Sequence, residues 1–322
     1  MALGPAGAAR ASPFRHYRLV DYLAQGYIVL VGLLILVFHG RELRLWPLLL
    51  GVHAAILVAD HALIRVAGDR KTGFLALLRA FYPMLLYTFF YCETHKLDRL
   101  FIHSAQDGFF IDLDQRLFGA QLSRTFMAAA PYVWVSELFY LFYFSYYVMI
   151  FGVGMGLYLT RRRQFFHYLT LASFVFYLCY LTYIFLPVMG PHATESGVVL
   201  KGTLAAVGPR VTPEAVQSGP FFNVMKLVYK LVEPEGGAAF PSSHVALAVA
   251  ALWFSWTCFK YVRWLHLVAV IMLCLSTVYC GYHYAVDVLG GLATSALLVP
   301  VGEAMYRRWR HLGEEEVTSG KC

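Results

Sequence analysis

Eight apolar runs constrain this chain more than any other feature of its sequence. They cover roughly residues 20–38, 45–65, 73–92, 131–159, 165–187, 243–259, 264–282 and 285–305, and a helix needs about 20 residues to cross a bilayer. His53, Asp60 and His61 interrupt the second run, and the sixth is short. Of the 322 residues, 59% are hydrophobic and 14% charged, with a mean hydropathy of +0.60. A soluble domain carries roughly 25% charged residues. These properties predict an all-α integral membrane protein with about eight transmembrane helices. The net charge of +7 does not point to nucleic acid as a partner. Its basic residues fall between apolar runs and near the ends, which is the pattern of a topology signal.

Two polar stretches, 93–130 and 188–242, interrupt the apolar runs. The first contains Leu97-Asp98-Arg99-Leu100-Phe101-Ile102 and Phe109-Phe110-Ile111-Asp112-Leu113-Asp114, mixed patterns that suit interfacial helices better than spans. On that reading Asp107, Asp112 and Asp114 form the wet face of an interfacial helix; Glu93, His95 and Asp98, beside the third span, either bind a head group or cap the span, and the cap is the favoured reading. The second stretch is rich in Gly and Pro up to Pro220 and reads as helix from Phe221 to Val232. The expected division is an N-terminal membrane region over 1–130, a catalytic core over 131–310 and a polar tail over 311–322. Residues 1–16 show no pattern of a cleavable signal peptide. Cysteines 92, 179, 258, 274, 280 and 322 lack zinc spacing and mostly sit in apolar runs, so they read as packing residues.

The short loops set an orientation. Arg10, Arg15, Arg18, Arg65, Arg70, Lys71, Arg161 to Arg163, Lys260, Arg263, Arg307 and Arg308 all fall on one side. The positive-inside rule makes that side cytoplasmic. Both long loops then face the periplasm, exterior or lumen. The sixth run starts outside at His244 and the seventh returns there just before His283, so two histidines 39 residues apart (283 minus 244) share a face.

Ionisable groups at the ends of membrane segments are functional candidates by default. His283 and Asp287 are spaced i, i+4 and stack on one face of a helix. An aspartate accepting one imidazole N–H fixes the tautomer and leaves the other nitrogen as the nucleophile. A protonated His244 can supply the proton to a leaving oxygen. Ser242 and Ser243 stand at a helix start, where hydroxyls and free N–H groups form a cradle for a phosphate. The pattern therefore points to phosphoryl transfer on a lipid.

Pro241-Ser242-Ser243-His244 resembles the Pro-Ser-Gly-His motif of the type 2 phosphatidic acid phosphatase (PAP2) superfamily. Ser276-Thr277 followed by His283 and Asp287 resembles its Ser-Arg-x5-His-x3-Asp motif. The resemblance covers about residues 130–305. It implies a PAP2-like helical-bundle core with His283 as nucleophile, Asp287 as its orienter and His244 as acid. Ser242, Ser243 and Ser276 become phosphate contacts, and no metal or other cofactor is implied. Thr277 replaces the family arginine. The third motif, Lys-x6-Arg-Pro, has as its nearest counterpart Leu186-Pro187-Val188-Met189-Gly190-Pro191-His192, which puts His192 where a Gly-Pro-Arg variant has its arginine. Lys201 and Arg210, the latter after Pro209, are further cations in that loop.

His283-Tyr284-Ala285-Val286-Asp287 is similar to the His-Tyr-x2-Asp element of inositol phosphorylceramide and sphingomyelin synthases. Asp114-Gln115-Arg116-Leu117-Phe118-Gly119 resembles an upstream element of the inositolphosphotransferase branch. A phosphodiester carries one negative charge where a monoester can carry two, so the loss of Lys/Arg clamps suits a diester. The expected reaction moves a phospho-head group from a phospholipid donor to a lipid-alcohol acceptor, of ceramide or diacylglycerol type, through a phosphohistidine. Metal-independent hydrolysis of a lipid phosphate is the alternative. A lipid transporter or scramblase on the same frame is the reading from another class. A lone histidine in such a place is ordinarily structural. Asp287 and Pro-Ser-Ser attached to this pair shift the balance toward chemistry. Two histidines and one aspartate would make a metal site only with a further ligand, and none has the spacing. Aromatics such as Phe139-Tyr140 and Tyr146-Tyr147 read as interfacial anchors and packing.

Overall fold

The computed structural model describes residues 14–40, 43–194, 211–232 and 237–319. Arg10, Lys201, Pro209, Arg210 and Cys322 lie outside them. Among the described residues the elements are α-helices, one short 3-10 turn at Pro191–Thr194 and an isolated parallel bridge between Val188 and Ala238.

Each apolar run forms a helix. They are α1 (Leu19–Phe38), α2 (Trp46–Ala67), α3 (Phe74–Leu97), α6 (Val133–Thr160), α7 (Arg162–Phe185), α10 (Ser243–Cys258), α11 (Arg263–Tyr279) and α12 (Ala285–Ser319). Between them come α4 (Asp107–Phe118), α5 (Leu122–Ala129), α8 (Glu214–Gln217) and α9 (Pro220–Val232). Six of the apolar helices, α1, α2, α3, α6, α7 and α12, are long and apolar enough to cross a membrane, which makes this a multi-pass integral membrane protein. The other two, α10 and α11, have only 16 and 17 residues. Of the eight expected spans, six thus have the length to cross among the described residues, and two are shorter apolar helices.

The bundle is organised around α7. In its most apolar window 72% of residues are buried, against 22–39% in the other five spanning helices. Helices α1, α3, α6, α10 and α12 all pack on it, while α11 lies against α6. The glycine pair Gly290-Gly291 lets α12 meet the start of α10. A Cβ on Gly291 would stand 2.6 Å from the Ser242 carbonyl oxygen, and one on Gly290 would stand 2.4 Å from the Phe240 ring. This close approach brings the two histidine-bearing segments together.

Helix α4 corrects the expectation of a wet face. Asp107 and Asp114 are fully buried, whereas Asp112 is exposed as expected. Asp114 accepts the N–H groups of Ala285 and Val286 at 3.1 and 2.8 Å, so it caps the first turn of α12 from another helix. Asp107 accepts the N–H groups of Met189 and Gly190 and the hydroxyl of Tyr284, at 2.9, 2.8 and 2.9 Å. Around α3, Asp98 follows the last turn and accepts Gly237 N–H at 3.0 Å. Glu93 is not a cap. Its carboxylate lies 2.7 Å from His53 Nε2, and both side chains are buried.

Candidate active site

His283 sits in the turn between α11 and α12. Its backbone N–H and that of Tyr282 both donate to the Thr277 carbonyl at 3.1 Å. Its Nδ1 is 2.9 Å from the Ala239 carbonyl oxygen and 3.4 Å from Asp287 Oδ2. A carbonyl oxygen can only accept, so Nδ1 carries the proton and Nε2 holds the lone pair. Nε2 faces Ser242 Oγ at 3.2 Å and His244 Nδ1 at 3.5 Å. The sequence assigned tautomer control to Asp287 alone. The backbone of Ala239 shares it, while Asp287 Oδ2 also accepts Tyr284 N–H at 2.8 Å. Burial holds the His283 imidazole well below its ordinary range, helped by the neighbouring His244 and His192, with the Ala239 carbonyl opposing.

His244 is the second residue of α10. Ser242, at the N-cap, holds the helix start by accepting Val245 N–H at 3.4 Å, and Ser243 N–H donates to Tyr183 at 3.2 Å. These two N–H groups are therefore already engaged by protein partners. His244 Nε2 is 3.3 Å from Tyr143 Oη, and Tyr143 in turn meets the hydroxyl of Tyr229. Tyr229 stacks on Tyr282 with centroids 3.9 Å apart. His192 stands beside that stack, 5.7 Å from Tyr229 and 5.9 Å from Tyr282 between centroids.

The structure thus gathers His244, His283, Asp287 and Ser242 into direct contact, with Ser243 and His192 at the margin. Ser276 is buried in α11, and its hydroxyl donates to the carbonyl of Met272 in its own helix at 2.6 Å. Sequence reasoning missed the Ala239 carbonyl, the tyrosines 143, 229 and 282, and the two α4 carboxylates. Asp107, Phe110, Ile111 and Asp114 do show the i, i+3, i+4, i+7 spacing of a single buried helix face. That periodicity was the available signal. Among the described residues no three His, Cys, Asp or Glu side chains are grouped as metal ligands.

A cavity of about 310 Å³ opens beside His244, lined there by Ser243 and Tyr229 and, further along α3 and α6, by Met84 and Ile150. No curated protein and no solved structure matches the chain. A family model, that of the PAP2 superfamily, matches residues 109–301, from α4 to the middle of α12. With more than half of its length matched, and with both histidine motifs inside that span, the chain belongs to the PAP2 superfamily.

Proposed function

We propose that this protein moves a phospho-head group from a phospholipid to a lipid alcohol through a phosphohistidine at His283. Membership of the PAP2 superfamily supports lipid phosphate chemistry in general. The single observation that carries the transferase reading is the cavity, because it reaches His244, the proton donor, from the apolar side of the bundle. A lipid alcohol can leave or arrive by that route, and an apolar passage favours it over water as the second substrate.

In the first step Nε2 of His283 attacks phosphorus and the bond to the diacylglycerol oxygen breaks. His244 gives that oxygen its proton. Nδ1–H of His283 stays on the Ala239 carbonyl, and Asp287 offsets the positive charge growing on the ring. In the second step the acceptor hydroxyl gives its proton to His244, its oxygen attacks phosphorus, and the N–P bond breaks. Ser242, Ser243 and His192 are the proposed contacts for the phosphate oxygens. At 3.5 Å the two imidazoles leave no room for phosphorus between them. Substrate binding therefore has to part the two rings. The proposed site faces the non-cytoplasmic side, a reading that the basic loops at the opposite ends of the helices support.

A product assay tests this reading. Purified protein is given labelled phospholipids with and without ceramide, in EDTA. Diacylglycerol together with a new phosphosphingolipid is the expected outcome. Inorganic phosphate as the only phosphorus product assigns the protein to hydrolysis, and lipid movement without any product assigns it to transport.

A further inference from the structure

We propose that the cavity beside His244 holds one alkyl chain of the lipid alcohol, and that Met84 at its floor sets the chain length accepted. The proposal rests on the phosphohistidine reading, in which His244 protonates the lipid oxygen, so the chain attached to that oxygen must begin at His244.

The cavity runs down between α3 and α6, with α7 behind it, since both helices pack on α7. At its upper end the Tyr146 ring lies 4.4 Å from the His244 ring. At its lower end the Met84 thioether lies against Gly154, where a Cβ would be 3.5 Å from Met84 Cε and 3.3 Å from the Tyr168 ring. Phe81 closes the space further down, with its ring 6.1 Å from Phe151 and 5.1 Å from Tyr158. The floor is therefore a flexible thioether resting on a glycine, with packed rings behind it.

Two measures bracket the capacity. Met84 and Tyr91 are the lining residues furthest apart on α3, seven residues (91 minus 84), a depth of about 10 Å, or about eight carbons of an extended chain. A cavity of about 150 Å³ accommodates benzene, so the space here, about 310 Å³, takes roughly twelve carbons. That is one alkyl chain, not two. Tyr147 and Phe151 line the same cavity and are 37% and 52% exposed on the outer face of α6. They form a side mouth through which a second chain reaches the bilayer. A straight chain that outruns the floor has to fold back toward that mouth or overpack Met84, at a cost of roughly tenfold in kcat/KM.

The test measures diacylglycerol release from phosphatidylinositol and phosphatidate carrying dihexanoyl, didecanoyl or dipalmitoyl chains, in mixed micelles. Met84→Ala opens the floor, and the dipalmitoyl to didecanoyl ratio of kcat/KM is expected to rise about tenfold. Thr88→Trp fills the cavity one turn above Met84, from an exposed position on α3 that the fold does not need. It is expected to move the optimum from didecanoyl to dihexanoyl. Wild-type ratios in both variants, or an equal loss at every chain length, overturn the proposal. Should Met84→Ala fail to fold, Thr88→Trp decides alone. Absence of diacylglycerol from the wild type with either lipid at any length contradicts the phosphohistidine reading itself, and a changed ratio cannot then arise.

Discussion

The Ala239 carbonyl oxygen stands closer to His283 Nδ1 than the Asp287 carboxylate does, at 2.9 against 3.4 Å. A backbone carbonyl cannot release its hold by protonation, and the Val188–Ala238 bridge with the Ala239 N–H bond to Val188 O fixes its position. The Nδ1-protonated tautomer therefore survives without the carboxylate. Where an aspartate alone sets the tautomer, its conversion to Asn costs roughly 10⁴ in turnover. For Asp287→Asn the expected loss is only about a hundredfold, from the missing charge beside the imidazolium. Single-turnover kinetics of this variant check it, and a loss as large as that of His283→Gln speaks against the shared role.

His244→Ala should lower turnover of phospholipids by about 10²–10⁴, the usual worth of a positioned acid. An ester with a nitrophenol leaving group needs no proton, so its turnover should fall far less. The ratio of the two rates is the readout. Equal losses on both substrates would remove His244 from the acid role.

Burial keeps His283 neutral below the ordinary range of imidazole. In the unfolded chain the same ring takes up its proton at about pH 6.5. Its folded pKa is thus depressed, and the fold loses stability as pH falls below that value. Thermal unfolding between neutral and mildly acidic pH should show a steeper fall in Tm for the wild type than for His283→Gln. Parallel curves would mean that His283 is accessible to protons in the folded state.

The α4 carboxylates are structural supports for the segments that carry the candidate site. Asp114→Ala leaves Ala285 and Val286 N–H without their cap, a loss of about 1–2 kcal/mol. Asp107→Asn presents amide hydrogens to at least one of three donors, a loss of about 1–3 kcal/mol. Both variants should show a lower Tm and slower turnover, because the segments they release carry Tyr284, Asp287 and the Gly190 turn beside His192. Unchanged Tm in either variant contradicts the buried positions.

Helix positions were legible because the apolar runs dominate their neighbours, and α9 was readable because the Gly- and Pro-rich stretch before it ends at Pro220. The pairing of His244 with His283 could be read from loop charge, since the number of crossings between them decides whether they share a face. Asp107 and Asp114 were misread because two acids in a polar stretch look solvated until their partners are known. Those partners are backbone N–H groups and the Tyr284 hydroxyl, up to 177 residues away. No pattern in the local sequence encodes them. The tyrosines around His244 were hidden for the opposite reason. In a chain with 22 tyrosines nothing local separates Tyr143 or Tyr229 from ordinary packing. The cavity depends on how α3 and α6 diverge over α7, which is a tertiary property.

The most direct test of a phosphohistidine that retains its head group is the mass of the adduct on the peptide containing His283. Purified protein is mixed with phosphatidylinositol and, separately, with phosphatidate, in EDTA without acceptor, and quenched under alkaline conditions that preserve N–P bonds. A phosphoinositol adduct on His283, lost when ceramide is added and absent from His283→Gln, is the expected result. A bare phosphoryl adduct from phosphatidate alone would place the protein among hydrolases, and diacylglycerol release by His283→Gln at the wild-type rate would contradict covalent catalysis at this histidine.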